Sequence, residues 1–498
     1  MSGKLTFEEL KTHLWHAADI LDEKGGIDPN EYRKPILGLL FLKRLNDVFE
    51  DKAKNLEKKY GKDEAWNDSD RHPFFIPKES RWSKVEGAFE NIGETLDTAC
   101  IEIEKANSKL KGVLTTITYN NKNDYSDDVL LSLVSHFSKK DRRLGHDDLE
   151  NEDVFGQAYE YLLGQFADSA GQKAGEFFTP REVVQLLVEL LEPKEGMKIC
   201  DPTCGSGGML IWSRKYVEEH HENPKNVSLH GQEKSSGNYG MCVMNMIVHG
   251  IENFRIENDN LHTNPLLVEN GKLLQYDKVI ANYPFSRDWD SSRGEKDPYG
   301  RYPFGIPLSK GKADYAFIQE MYSHLNDKGQ ATIVCSQGIL YRGKTEGKIR
   351  QAFVEHDVID TIIALPANLF YGTTIPASIL ILDKNKPEKR KGKILFVNAA
   401  KDFQEGKGRD RLRDSDIKKI KSTVKSFKDI DRYCHIADLD ELKENEFNLN
   451  VPRYVDISEP EEEIDIQATI DELKKLDKER EKIELQVNKD LKELGFKV

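Results

Sequence analysis

Two short stretches of this chain combine residue types that can do chemistry. The first, DPTCGSGGM at residues 201–209, follows the apolar run MKIC and leads into LIWSRKYVEEH, which has helical spacing. Gly205, Gly207 and Gly208 let a backbone turn sharply and bring N–H groups and a helix N-terminus against a ligand. The spacing is not G-x-G-x-x-G, and an acidic residue at a strand end disfavours a phosphate while suiting a cation or hydroxyl groups. A glycine turn with no ligand is the plainer alternative. The second stretch, VIANYPF at residues 279–285, ends an apolar strand on an amide, two aromatic rings and a rigid proline. Such an exit is either an ordinary turn or a dock for something planar that carries an amino group.

Further polar residues fall in step with these two stretches. SLHGQE ends in Glu233, where the second strand of a doubly wound sheet offers a carboxylate to a ribose diol. FRIE is followed by Asn258, Asp259 and Asn260. Asp201, Glu233, Asp259 and Asn282 thus stand at four successive strand ends. Any one alone reads as a turn residue or helix cap; the ordered set reads as a line of polar groups along one sheet edge.

Such a line needs a parallel sheet to hold it. From about Val154 short strands alternate with helices: MKIC, SLHGQE, FRIE, YDKVIAN, QATIVC, VIDTIIAL, SILILD and KILFVN. The alternation predicts an α/β core, a Rossmann-like, doubly wound and mostly parallel sheet covered on both faces, with ligands at the carboxyl ends of its strands. Ahead of it, Phe7, Leu10, Leu14 and Ala18, then Ile36, Leu40, Leu45 and Phe49, recur at helical spacing and predict an N-terminal helical domain, with residues 62–84 as a loop. After Arg409 the chain is charge-dense. There Ile466, Ile470, Leu473, Leu476, Ile483, Val487, Leu491 and Leu494 step mostly by three or four, as in an amphipathic helix or short coiled coil. That helix either folds back on its own domain or serves a partner. The expected division is a helical domain at 1–150, the core at 151–408 and a helical tail for subunit assembly at 409–498.

The 498 residues suffice for roughly three domains. Hydrophobic residues make up 38% and charged residues 32%, and no apolar run approaches the ~20 residues that span a bilayer. The start, MSGKLTFEELKT, has no apolar signal core, so a cytoplasmic location is expected. Six scattered cysteines without C-x-x-C pairs suit reduced thiols and predict no zinc site. A net charge of −14 has the wrong sign for gripping a polyphosphate unaided, so a nucleic-acid substrate would call for a basic groove or a partner. The basic runs KKDRR (139–143) and KNKPEKRKGK (384–393) are candidates for that groove or simply solvated loops.

DPTCGSGG followed by NYPF resembles the cofactor and catalytic motifs of the amino-methyltransferases that modify adenine in DNA, whose catalytic motif is Asn-Pro-Pro-Phe or Asn-Pro-Pro-Tyr. More closely, the order of GEFFTPREVVQLLVEL, DPTCGSGG, GQE, NYPF and the late EFNLNVPRYVD resembles the modification subunit of type I restriction-modification systems, over most of the chain. The resemblance implies a prokaryotic, gamma-type DNA adenine-N6 methyltransferase that uses S-adenosylmethionine and no metal. It implies cofactor contacts from Phe178, Thr179, Asp201, Thr203, Gly205, Ser206, Gly207, Glu233, Asp259 and Asn282, and a catalytic turn of Asn282, Tyr283, Pro284 and Phe285. It also implies double-stranded DNA, a specificity subunit that takes two copies of this chain and receives the tail, and a restriction ATPase as partners. A protein-glutamine methyltransferase uses a similar turn, and a methyltransferase fold that binds cofactor and transfers nothing is a further alternative. The long helical front and tail argue against the glutamine enzyme.

The chemistry agrees with the resemblance. An adenine amine is a poor nucleophile because its lone pair is delocalised into the ring, so a site must hold both N–H groups with acceptors as the nitrogen pyramidalises. The Asn282 side-chain oxygen and a neighbouring backbone carbonyl suit that task. The base must be flipped out of the duplex at a cost of a few kcal/mol. Stacking on an aromatic ring returns ~1–3 kcal/mol, which makes Phe285 a platform and Phe370, in LPANLFYGTTIPAS, either its partner or a core residue. Tyr283 stands where the family carries proline, so the fixed φ of a proline ring is lost. Thr179 is expected to cap a helix with Pro180 at its first position and Glu182 three residues on. GILYRGKT (338–345) matches G-x-x-x-x-G-K-[ST] after a strand, yet Leu340, Tyr341 and Arg342 would crowd a phosphate loop. Tyr341 to Lys344 facing DNA is the alternative there.

Overall fold

The structure, a computed structural model, describes residues 4–25, 33–145, 147–150, 154–159, 161–162, 179–285, 287–308, 311–371, 373–457 and 466–496. The chain separates into two units, Met1–Val455 and Asp456–Val498.

At the front of the first unit the helices Phe7–Gly25, Arg33–Tyr60, Ile92–Ala106 and Asp127–Phe137 pack through the apolar stripes seen in the sequence. Leu10, Leu14, Ile36, Leu40 and Phe49 are all buried. Ser126 caps the last of these helices, its hydroxyl accepting from the Val129 N–H. The expected loop at 62–84 instead holds two short helices, Lys62–Asn67 and Trp82–Glu86; Ala65, Trp82 and Val85 are buried and give these turns a reason to order. In the basic run at 139–143 Lys139 and Lys140 are exposed, whereas Arg143 is held by the fold and pairs with Glu50 at 3.1 Å, Asp51 at 2.6 Å and Asp148 at 3.2 Å.

The core sheet contains strands β1 (Lys198–Asp201), β2 (Ser228–Glu233), β3 (Phe254–Asn258), β6 (Tyr276–Asn282), β7 (Leu325–Ser336), β8 (Ile359–Ala364), β9 (Ala377–Asp383), β10 (Lys393–Asn398) and β11 (Cys434–Asp438). A separate hairpin, β4 (Val268–Glu269) with β5 (Lys272–Leu273), lies between β3 and β6. The strand order is β11-β10-β8-β9-β7-β6-β1-β2-β3. Neighbours from β3 to β7 run parallel, whereas β9 is antiparallel to both β7 and β8. The chain builds outward from β1 to β3 and then returns to the other side of β1. That reversal leaves a crevice outside the carboxyl ends of β1 and β6, where open α/β sheets take their ligands.

The sheet does not stop at residue 408. Strand β11 pairs antiparallel with β10, and helix Asp414–Ser426 buries Ile417, Ile420 and Val424 and packs on helix Arg181–Leu191, with Lys421 bonded to Glu189 at 2.5 Å. The Asn398 amide donates to the Val455 carbonyl at 3.1 Å. Residues 409–455 thus belong to the first unit, and the charge density that suggested a tail there lies on the outer faces of these elements. The basic run at 384–393 is anchored through Lys386 and Arg390, with Lys389, Lys391 and Lys393 exposed: the Lys386 ammonium is buried on Asp357 and the carbonyls of Ile359 and Lys393, and Arg390 meets Asp360 at 2.8 Å.

The second unit carries a 28-residue helix, Ile466–Glu493, whose Ile470, Leu473, Leu476, Ile483 and Val487 are exposed. No helix among the described residues is long and apolar enough to cross a membrane.

Candidate active site at the carboxyl edge of the sheet

Because β6, β1, β2 and β3 are adjacent and parallel, Asn282, Asp201, Glu233 and Asp259 come to one edge in that spatial order. The loop after β1 is held by its own sequence. Asp201 is 2% exposed and accepts from the Thr203 N–H at 3.0 Å; the Gly205 N–H donates to Glu233 at 3.1 Å. Gly205 has φ 52° and Gly207 φ 80°, in the left-handed region that favours glycine. A Cβ on Gly207 would stand 2.7 Å from the Cys242 sulfur, so only glycine lets the loop lie against helix Ser236–Val248. From that helix Asn245 donates to the Ser206 carbonyl at 3.0 Å. The loop ends in helix Gly208–Glu219, with Gly207 at its N-cap and no side chain bonded to its first N–H groups.

The electrostatics of this edge are set by burial. Burial pushes the Asp201 carboxyl up to about 7, against the Thr203 N–H, with the nearby Glu233 charge adding to the rise. Burial also raises Glu233, opposed by N–H donors from Ser235 and Gly205. The Asn264 amide and the Asn260 N–H lower Asp259. The two raised carboxyls lack a compensating cation on the loop, and a cationic centre or hydroxyl donors would stabilise their charged forms.

At the end of β6 the Asn282 amide nitrogen donates to the Thr179 hydroxyl at 2.9 Å. The bond fixes which way the amide faces and leaves its oxygen as an acceptor. Thr179 therefore does not cap the following helix: Pro180 occupies the cap position of Arg181–Leu191 without a side-chain bond, and Glu182 pairs with Arg409. Phe178 lies outside the described residues.

Tyr283 is 1% exposed. Its ring stacks on Phe317 at 5.2 Å between centroids and meets the Phe285 ring edge-on at 5.4 Å. Its hydroxyl donates to Asp314 at 3.2 Å, and burial first and then the Asp314 charge hold it well above the usual tyrosine range, so it stays a donor. Pro284 and Phe285 are half-buried. Phe370, by contrast, is 4% exposed and part of the hydrophobic core, so its ring offers no open face to a base. The GILYRGKT segment is a stitched turn: the Tyr341 and Arg342 N–H groups both go to the Gly338 carbonyl, and the Arg342 guanidinium reaches Asp314 at 2.9 Å and Glu346 at 2.5 Å. The Tyr341 and Arg342 N–H groups and the Arg342 guanidinium are thus engaged within the fold, while Lys344 is exposed at the start of the following helix.

The family described as N-6 DNA Methylase matches residues 150–463. The chain belongs to that family. The HsdM N-terminal domain family matches residues 10–137. The chain is 32% identical to the type I restriction enzyme MjaIX methylase subunit of Methanocaldococcus jannaschii, over 98% of this chain and 92% of that protein. It is 33% identical to the HindI methylase subunit of Haemophilus influenzae, over 84% of this chain and 100% of that one. The crystal structure of a type I restriction-modification methyltransferase subunit from Streptococcus thermophilus aligns with a TM-score of 0.79 at 32% identity, covering 91% and 100% of the two chains. This N-6 DNA methylase is accordingly an adenine-specific DNA methyltransferase and a type I modification subunit. The scaffold and protein-glutamine alternatives fall with that placement.

Two features of this methylase were not foreseen from sequence. Asp314, in the first turn of helix Asp314–Ser323, carries no motif that singles it out, and Gln232 appears in the sequence only as one residue of SLHGQE. Gln232 in fact donates to the carbonyls of Asp259 and Asn264 and accepts from the Leu266 N–H, fixing the loop after β3.

Proposed function

We propose that this subunit methylates the N6 amine of a flipped-out adenine in double-stranded DNA using S-adenosylmethionine, with the DNA sequence read by a separate specificity subunit that takes two copies of this chain and with a restriction ATPase joining the complex. The observation that carries the reading is the Asn282 amide, oriented by Thr179 so that its oxygen is left for a substrate N–H.

The residues of the edge fit the cofactor's chemistry. The glycine loop at Gly205 and Gly207 with Thr203 and Ser206, the raised carboxyls of Asp201 and Glu233, and Asp259 beyond them match a ligand with a cationic centre and hydroxyl groups. When bound, S-adenosylmethionine supplies an activated methyl group. The chain's own task is alignment. The Asn282 oxygen accepts one N–H of the adenine amine, and the backbone carbonyl of Tyr283 or Pro284 accepts the other as the nitrogen pyramidalises. Phe285 presents a ring for stacking, worth ~1–3 kcal/mol against the cost of flipping. The acidic net charge leaves attraction to DNA to the partner, and the exposed apolar stripe of helix Ile466–Glu493 is suited to docking on it.

The test is Asn282→Ala in the complex with the specificity subunit, with labelled cofactor and unmethylated DNA, followed by identification of the modified nucleoside. N6-methyladenine from the unsubstituted complex, its loss in Asn282→Ala and retained cofactor binding are the expected results. Methylation unchanged by the substitution would remove Asn282 from the chemistry.

A further inference from the structure

The catalytic turn of this family ordinarily carries proline after its asparagine, and the proline ring fixes φ there. Tyr283 has no such ring, yet it is not loose. Its side chain is enclosed by Phe317 on one face and the Phe285 edge, and its hydroxyl is held by the Asp314 carboxylate. Asp314 is itself fully buried and receives two more donors, the Ser336 hydroxyl at 3.1 Å and the Arg342 guanidinium at 2.9 Å. It sits in the first turn of helix Asp314–Ser323, where the helix dipole favours a negative charge. Arg342 is braced in turn by Glu346 at 2.5 Å. Tyr283, Asp314, Ser336 and Arg342 come from four different elements, so the arrangement ties the turn after β6 to the turn after β7.

We infer that Asp314 and Arg342 are positioning residues for methyl transfer, which fix the catalytic turn through the Tyr283 hydroxyl and so replace the backbone restraint that proline supplies elsewhere in the family. Neither touches the substrate in this assignment. The inference rests on the methyl-transfer reading of Asn282 and adds to it a role for the segment GILYRGKT: its Arg342 is the far anchor of the active-site turn.

The test is a substitution cycle in the full complex, with Asn282→Ala as the control for the parent reading. Tyr283→Phe removes only the hydroxyl, Arg342→Gln removes the cation, and Tyr283→Pro installs the family's usual residue. Each of the first two is expected to lower kcat about tenfold while the KM for cofactor stays unchanged, the size of a lost hydrogen bond to a charged group. The double variant Tyr283→Phe with Arg342→Gln is expected to be no slower than the slower single variant. In the Tyr283→Pro background, Arg342→Gln is expected to leave kcat unchanged, because the ring then holds φ. Equal losses from Arg342→Gln in the tyrosine and proline backgrounds, or multiplicative losses in the double variant, overturn the inference and place Arg342 on the DNA or in the general fold. A full-speed Tyr283→Phe overturns it too. Hydrogen–deuterium exchange of the peptide spanning residues 276–285 reads the same cycle without turnover. Faster exchange in Tyr283→Phe and Arg342→Gln, suppressed in the proline background, supports the restraint of the turn whatever Asn282→Ala shows about the parent reading; unchanged exchange in both refutes the inference.

Discussion

Thr179→Val is the most direct probe of how the Asn282 amide is oriented. The substitution keeps the side-chain volume close and replaces the hydroxyl with a methyl group. It removes the acceptor that lies 2.9 Å from the Asn282 amide nitrogen. A neutral hydrogen bond contributes about 1 kcal/mol net, and leaving a part-buried N–H without its acceptor adds ~1–3 kcal/mol. The amide responds by turning over for part of the time, presenting N–H groups where the substrate amine needs an acceptor. At one decade per 1.36 kcal/mol, the transfer rate is expected to fall about tenfold or more. The assay is single-turnover transfer of labelled methyl groups to DNA at saturating cofactor, with the cofactor Kd measured separately, so that binding and the chemical step are resolved. Thr179→Ser keeps the hydroxyl and is expected to retain most of the rate. An unaffected rate in Thr179→Val, or an equal loss in Thr179→Ser, refutes the orientation argument; the second outcome would assign the residue's role to its methyl group.

Three more expectations follow from the same edge and from the tail. The Asp201 carboxyl rises from 3.8 to about 7 on folding, so the folded state binds the extra proton. Its contribution to stability is therefore fully present below pH 4 and is lost as pH rises through 7, by at most ~4 kcal/mol. Asp201→Asn should flatten this part of the Tm-against-pH curve of the cofactor-free protein, and an unaltered curve would mean that Asp201 does not hold the proton. Gly207→Ala forces a left-handed residue and a Cβ 2.7 Å from the Cys242 sulfur; a loss of ~1–3 kcal/mol with weakened cofactor binding is expected by thermal melting and titration. Deleting residues 466–496 removes an exposed apolar stripe and none of the first unit, so cofactor binding is expected to persist while capture by the specificity subunit is lost; undiminished capture would place the docking surface elsewhere.

Much of the site was legible because it is written locally. A glycine run after one strand and polar residues at successive strand ends depend on neighbours a few positions away. A parallel sheet then brings all such ends to one edge whatever their separation in sequence. The strands β1, β2, β3 and β6 lie close to their expected places, since short segments with apolar residues bounded by turn residues and alternating with helical stretches leave little choice. Strand β11 and helix Asp414–Ser426 were hidden because an edge strand and an outer helix bury one face only, and their charged faces dominate the composition.

Other outcomes depend on contacts between residues far apart in the chain. Thr179 was expected at a helix cap but bonds Asn282, 103 positions away. The Tyr283 substitution looked like lost rigidity until Asp314, 31 positions on, was found on its hydroxyl. Phe370 could stack or pack as far as sequence is concerned, and the core claimed it. The sequence by itself determined which chemical groups stand at the carboxyl edge, because alternation and glycine punctuation are properties of adjacent residues. Only the tertiary structure decided which way the Asn282 amide faces and what restrains its turn, because a side chain's orientation is set by the donors and acceptors that folding brings within 3 Å or so.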